Sequence, residues 1–252
     1  MKFGIVLSGG AVRGLAHIGV LKALEEYGIY PTVISGASAG AIIGVFYADG
    51  YSPGEMEEIA LKTNIFDYVK PSFPPGQALF SLEKLDRFLD KYISKKDLSQ
   101  LEKKMFVCVT NLNKGFPEYF SSGDIYTLLM ATSALPFVFK PVEINGFTYI
   151  DGGITNNLPV EPIVNTADFK IGVDVNPMGE ETDLKNPVKI LIRSLFLAIR
   201  SNVDVRKKYC DIFIQPEPLM DIGLFSTWKM KEAIDIGYKY TRDILRRYDF
   251  KI

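Results

Sequence analysis

Two short apolar runs, each broken by a glycine-rich loop that opens directly into helix-like sequence, constrain this chain more than any other feature. Phe3 to Leu7 leads into Ser8-Gly9-Gly10-Ala11-Val12-Arg13-Gly14, and Thr32 to Ser35 leads into Gly36-Ala37-Ser38-Ala39-Gly40. Apolar runs of this length bounded by glycine read as buried strands. A strand, a glycine turn and a helix gather backbone N–H groups and the positive end of a helix dipole around one point, which suits negative charge. Two such units on neighbouring strands can share that point, and in open α/β sheets ligands bind at the carboxyl ends of strands.

The remainder of the chain continues the alternation. Leu15 to Tyr27 carries apolar residues at helical spacing and stops at Gly28. Ala39 to Ala48 is apolar on all sides, as a buried helix is. Ser52-Pro53-Gly54-Glu55 combines an N-cap, a first-turn proline and a capping-box glutamate, and predicts a helix to about Thr63. Phe66 to Phe80 holds three prolines, a glycine and several aromatic residues and is expected to be an irregular connection with the character of a lid. Helix follows Ser81, with Leu82, Leu85, Leu89 and Ile93 on one face. Strands are expected at Met105 to Thr110, Glu118 to Ser121, Thr148 to Ile150, Lys170 to Val175 and Asp211 to Gln215. Helices are expected at Ile125 to Leu135, Val188 to about Lys208 and Thr227 to Arg247. This pattern predicts one α/β domain over residues 1–252, with a largely parallel sheet between helical layers.

Composition excludes several classes. A net charge of -1 gives no field for nucleic acid. Cys108 and Cys210 form neither a disulfide framework nor a metal-ligand spacing, so a reduced, cytoplasmic setting is expected. The apolar start is too short for a signal peptide. Val188 to Ile199, interrupted by Lys189 and Arg193, falls short of the ~20 residues that span a bilayer, so the protein is expected to be soluble or peripheral to a membrane.

Ser38 is the candidate nucleophile. Glycines on both sides of a strand-to-helix turn permit a strained backbone that projects the hydroxyl, and the Ala39 amide follows at the position where an oxyanion would be met. The same pattern also serves a turn that merely packs a helix against a strand. The single histidine, His17, precedes Ser38 inside the first helix, whereas an α/β-hydrolase places its histidine last. His17 reads as a hydrogen-bonded structural residue, so the base is a carboxylate or a lysine. Asp151, at a strand end before Gly152 and Gly153, is either that base or the first residue of a hairpin turn.

Gly9 to Gly14, with Leu15-Ala16-His17-Ile18-Gly19 after it, resembles the glycine loop of patatin-like phospholipases. Gly36 to Gly40 resembles their serine elbow, Ala131 to Pro136 the segment before their acidic motif, and Asp151-Gly152-Gly153 with Asn156, Asn157 and Pro159 their acidic block. These motifs occur in the family's order between Met1 and about Pro177. The resemblance implies a three-layer α/β/α fold and a Ser-Asp dyad hydrolase of lipid esters: phospholipids, lysophospholipids or simpler esters. It implies Ser38 as nucleophile, Asp151 as its partner, and the amides of Gly9, Gly10 and Ala11 as oxyanion hole. Arg13, Ala39 and Gly152 are implied in support, and no cofactor, metal or nucleic acid is implied. Peripheral membrane contact is expected, and oligomeric state is left open. Acyl transfer on the same fold, and non-catalytic binding of lipid or anion, are the alternatives. One departure stands out, because the loop's third glycine is Ala11. If that position needs a positive φ, alanine distorts the hole.

Overall fold

The computed structural model describes residues 1–63, 70–71, 80–81, 85–180 and 184–247. Its elements run β1 (Phe3–Leu7), α1 (Ala16–Glu26), β2 (Val33–Ala37), α2 (Ala39–Ala48), α3 (Pro53–Lys62), β3 (Lys70–Pro71), β4 (Phe80–Ser81) and α4 (Leu85–Tyr92). Then come β5 (Lys104–Asn111), β6 (Phe116–Phe120), α5 (Ile125–Thr132), β7 (Val142–Ile144), β8 (Phe147–Asp151) and α6 (Gly153–Asn156). The chain closes with β9 (Phe169–Val173), α7 (Pro187–Asp204), β10 (Ile212–Ile214) and α8 (Met230–Arg247).

Strand side chains alternate between the two faces of the sheet, and the core divides accordingly. Ile5, Leu7 and Ile34 join the larger cluster beneath α1, α2, α3 and α8. Val6 and Val33 join a smaller cluster with Leu158, Val160, Ile163 and Val203, the last from α7. These are the two outer layers of a three-layer α/β/α sandwich. Strands β10, β9, β1, β2 and β5 lie parallel in that order, and β6, β8 and β7 add antiparallel pairs. The sheet is therefore mixed, with its parallel part holding both glycine loops.

The pairing of β5 positions the site. Its residues Val107 to Asn111 pair with β6 on one edge. The opposite edge is shared: β2 occupies it as far as Ala37 opposite Cys108, and β8 occupies it from Asp151 opposite Val109. One strand is parallel to β5 and the other antiparallel, so β2 and β8 meet with their carboxyl ends facing. Ser38, which follows Ala37, thus arrives beside Asp151.

Several expected boundaries move. The second strand extends to Ala37, and α5 stops at Thr132 rather than Leu135 because the next residues turn toward β8, where the Ala134 carbonyl accepts the Asp151 N–H at 3.0 Å. The long helix expected to reach about Lys208 ends at Asp204 and is followed by a separate 3-10 turn at Lys207–Tyr209. Most of the connection from Phe66 to Phe80, with its expected lid character, lies outside the described residues, as does Leu82. Both cysteines are free. Among the described residues no helix is long and apolar enough to cross a membrane, and no group of three His, Cys, Asp or Glu side chains could hold a metal ion.

Candidate active site

Ser38 occupies the turn between β2 and α2 with φ 50° and ψ −126°, a conformation sparsely populated by non-glycine residues and costing about 1–3 kcal/mol. Gly40 makes this turn possible: a Cβ there would sit 2.3 Å from the Leu7 carbonyl oxygen of β1. The helix that follows begins at Ala39, and the Ala41 and Ile42 amides already donate to the Ser38 carbonyl. The Ala39 amide has no acceptor among the described residues.

Asp151 is buried at the end of β8, beside the Ser38 hydroxyl, and accepts the Gly153 N–H at 2.8 Å. Burial dominates its ionisation and raises its pKa to about 6, opposed by the Ser38 hydroxyl and the Gly153 N–H, which favour the charged form. A carboxylate at that value is ionised at neutral pH yet basic enough to take a proton, as one with an ordinary pKa of ~3.9 is not. Gly152 is required by close approach, since a Cβ there would lie 2.1 Å from the Cys108 carbonyl oxygen.

The glycine loop lies against the elbow. A Cβ on Gly9 would meet the Ser38 Cβ at 2.9 Å, and one on Gly14 would meet the Ala39 Cβ at 2.5 Å. Three of its residues behave differently from one another. The Gly9 N–H is committed: it donates to Asn157 Oδ1 at 2.9 Å, while the Gly9 carbonyl accepts from Asn176 Nδ2 at 2.6 Å. Gly9 is thereby an anchor, and its amide is unavailable to an oxyanion in this arrangement. The amides of Gly10 and Ala11 have no acceptor among the described residues. Ala11 sits at φ 49°, so the position does require the left-handed region, and alanine is held there at a cost of about 1–2 kcal/mol.

Arg13 braces the glycine loop. Its Nε donates to the Ile222 carbonyl at 2.6 Å, tying the loop to the Glu217–Asp221 turn; burial lowers its pKa, opposed by the charge of Asp174. His17 is fully buried with Nε2 2.8 Å from the Ser8 carbonyl, and burial lowers its pKa to about 4, so it stays neutral and structural. Asn202 of α7 secures the acidic block from outside, accepting the Asn157 N–H at 2.9 Å. Asn176 and Asn202 carry no sequence signal of their own; only the fold brings them to the loops.

Beside the elbow opens an apolar cavity of about 170 Å³, with Ala11 and Ala39 in its wall together with Ile42, Phe46, Met56 and Met230. Phe46 and Met56 are buried and Ala11 is exposed, so the cavity deepens away from the glycine loop into the helical layer. For scale, an apolar cavity of about 150 Å³ holds a benzene ring.

A layered α/β sheet that brings a strained serine, a buried carboxylate and unengaged loop amides to the carboxyl ends of its strands defines the class of α/β proteins with a serine-elbow site. The patatin-like phospholipase family model matches residues 5–164, and the chain belongs to that family. It is 26% identical over 276 residues to lysophospholipase nte1 of Aspergillus fumigatus, covering 97% of this chain and 18% of the relative. It is 24% identical over 272 residues to lysophospholipase NTE1 of Meyerozyma guilliermondii, covering 96% of this chain and 19% of that protein. The chain thus spans less than a fifth of the length of these curated relatives. The crystal structure of VipD from Legionella pneumophila superposes with a TM-score of 0.59 at 19% identity, covering 98% of this chain and 67% of that one, and shows the shared fold.

Proposed function

We propose that this chain is a serine acyl hydrolase of lipid esters that works through Ser38 and Asp151. In this reading Asp151 takes the Ser38 hydroxyl proton as Oγ attacks the ester carbonyl carbon. Negative charge then develops on the carbonyl oxygen, where the unengaged amides of Gly10, Ala11 and Ala39 are the donors in reach; each such donor is typically worth ~3 kcal/mol. Collapse breaks the bond to the alkoxide, which receives the proton from Asp151 and leaves an acyl ester on Ser38. Water then loses a proton to Asp151, attacks the acyl carbon and releases the acid, and Ser38 regains its proton.

The observation that carries the reading is the meeting of β2 and β8 on one edge of β5, which brings the buried Asp151 carboxylate beside a strained elbow serine. The apolar cavity beginning at Ala11 and Ala39 supports an acyl chain as the group transferred. His17, committed to the Ser8 carbonyl, supports a two-residue mechanism without an imidazole. The names of the relatives make a single-chain glycerophospholipid the first substrate to test. In this reading a lipid surface approaches beside Thr227 and Met230 of the cavity wall, where Trp228 and Phe225 are exposed at 80% and 59%.

A serine-directed fluorophosphonate probe tests the reading. It should label the wild-type chain and not Ser38→Ala, and lysophosphatidylcholine should yield free fatty acid. Equal labelling of both proteins, or none of either, refutes it.

A further inference from the structure

The two halves of the site share a support that neither motif announces. Thr132, the last residue of α5, is fully buried between β2 and β8. Its Oγ1 accepts the Ser38 N–H at 2.9 Å and lies 2.5 Å from the Cys108 carbonyl oxygen. A carbonyl only accepts, so the single hydroxyl proton of Thr132 must point to Cys108, and a lone pair is left facing Ser38. No other proton arrangement satisfies both bonds. Cys108 is the β5 residue at which the shared edge passes from β2 to β8. Two residues beyond Thr132, the Ala134 carbonyl accepts the Asp151 N–H at 3.0 Å. One short turn therefore holds the backbone N–H of both Ser38 and Asp151. The neighbouring Ser133 does not share this role: its buried hydroxyl has no partner among the described residues.

We propose that Thr132 is the positioning residue of the nucleophile: its oriented hydroxyl fixes the Ala37–Ser38 peptide plane, holds the strained Ser38 backbone, and so aims Oγ at Asp151. The inference rests on the reading of Ser38 and Asp151 as nucleophile and base. Thr132 touches neither substrate nor the reacting atoms, so its removal changes alignment and not binding. A misplacement of about 1 Å in such a site costs on the order of 10²-fold in rate. Valine is isosteric with threonine and keeps the packing while removing both hydrogen bonds; serine keeps the hydroxyl.

The test compares Thr132→Val, Thr132→Ala and Thr132→Ser with wild type and Ser38→Ala on a soluble ester, with folded fraction measured by circular dichroism. Per folded molecule, Thr132→Val and Thr132→Ala should lose roughly 10- to 100-fold in kcat and in the rate of fluorophosphonate labelling. Their KM and the apparent pKa of the acidic limb should stay at the wild-type values, and Thr132→Ser should recover activity to within a fewfold. The alanine variant keeps the test open should valine fail to fold. If Val, Ala and Ser variants turn over alike, or if kcat holds while KM rises, Thr132 is not positioning the nucleophile. If Ser38→Ala itself retains turnover or labelling, the underlying dyad reading fails instead, and the two failures are told apart.

Discussion

Replacing Asp151 with asparagine should inactivate the chain and stabilise it, and the stabilisation should depend on pH in a defined window. Asp151 has its pKa raised by burial from 3.8 to about 6. Its folded pKa therefore lies above its unfolded one, so the favourable term is fully present below pH ~4 and is lost as pH rises through ~6. That displacement corresponds to about 3 kcal/mol of stability given up at neutral pH to keep the carboxylate charged. Asparagine keeps the shape and an acceptor oxygen without the charge, so Asp151→Asn should gain up to about 3 kcal/mol at pH 8, and the gain should fade to nothing near pH 4. His17 titrates in an overlapping window with the opposite sign: its pKa is lowered from 6.5 to about 4, so its contribution is lost as pH falls. That term is common to both proteins and cancels in the difference. The assay is urea unfolding of wild type and variant at half-unit intervals from pH 4 to 8. A difference that is flat with pH, or a variant less stable at pH 8, would refute the assignment of a buried, ionised Asp151.

Other consequences follow from the same geometry. Hydrolysis measured as kcat/KM should rise with pH on a limb near 6, set by Asp151 in the free enzyme; a limb near 4 would mean that the carboxylate is not held by burial. Ala11→Gly should relieve about 1–2 kcal/mol of left-handed strain against 0.4–1 kcal/mol of added chain entropy, for a net gain near 0.5–1 kcal/mol in chemical denaturation. A loss of stability would contradict the positive φ at that residue. Ile42→Trp should fill the cavity and abolish hydrolysis of long-chain esters while sparing acetate esters; equal losses on both would place the acyl group elsewhere.

Much of the fold was legible because its signals are local. Glycine-terminated strands, helical spacing and the capping box at Ser52 each act within a few residues, and β1, α2 and α3 stand where those signals put them. That His17 is a hydrogen-bonded structural residue was legible from its place one turn into an apolar helix, whereas its partner, the Ser8 carbonyl, was not. What was not legible depends on separations that no motif spans. Gly9 loses its amide to Asn157, 148 positions away, so a loop of three equivalent donors becomes an anchor followed by two free amides. The meeting of β2 and β8 on one edge of β5 arises from strand pairing and leaves no local pattern. Thr132 looks like an ordinary last-turn helix residue until Cys108 and Ser38 stand on either side of it. Ala11 shows the limit from the other direction. The sequence posed the question of positive φ, and only the folded loop answers it.

The most direct measurement is mass spectrometry of the intact protein, quenched in acid during turnover of a slowly hydrolysed ester and followed by peptide mapping. A transient adduct of one acyl mass is expected, confined to the peptide bearing Ser38 and absent from Ser38→Ala. An acyl adduct on any other residue, or steady hydrolysis with no adduct under conditions where deacylation limits the rate, would contradict the Ser38 mechanism.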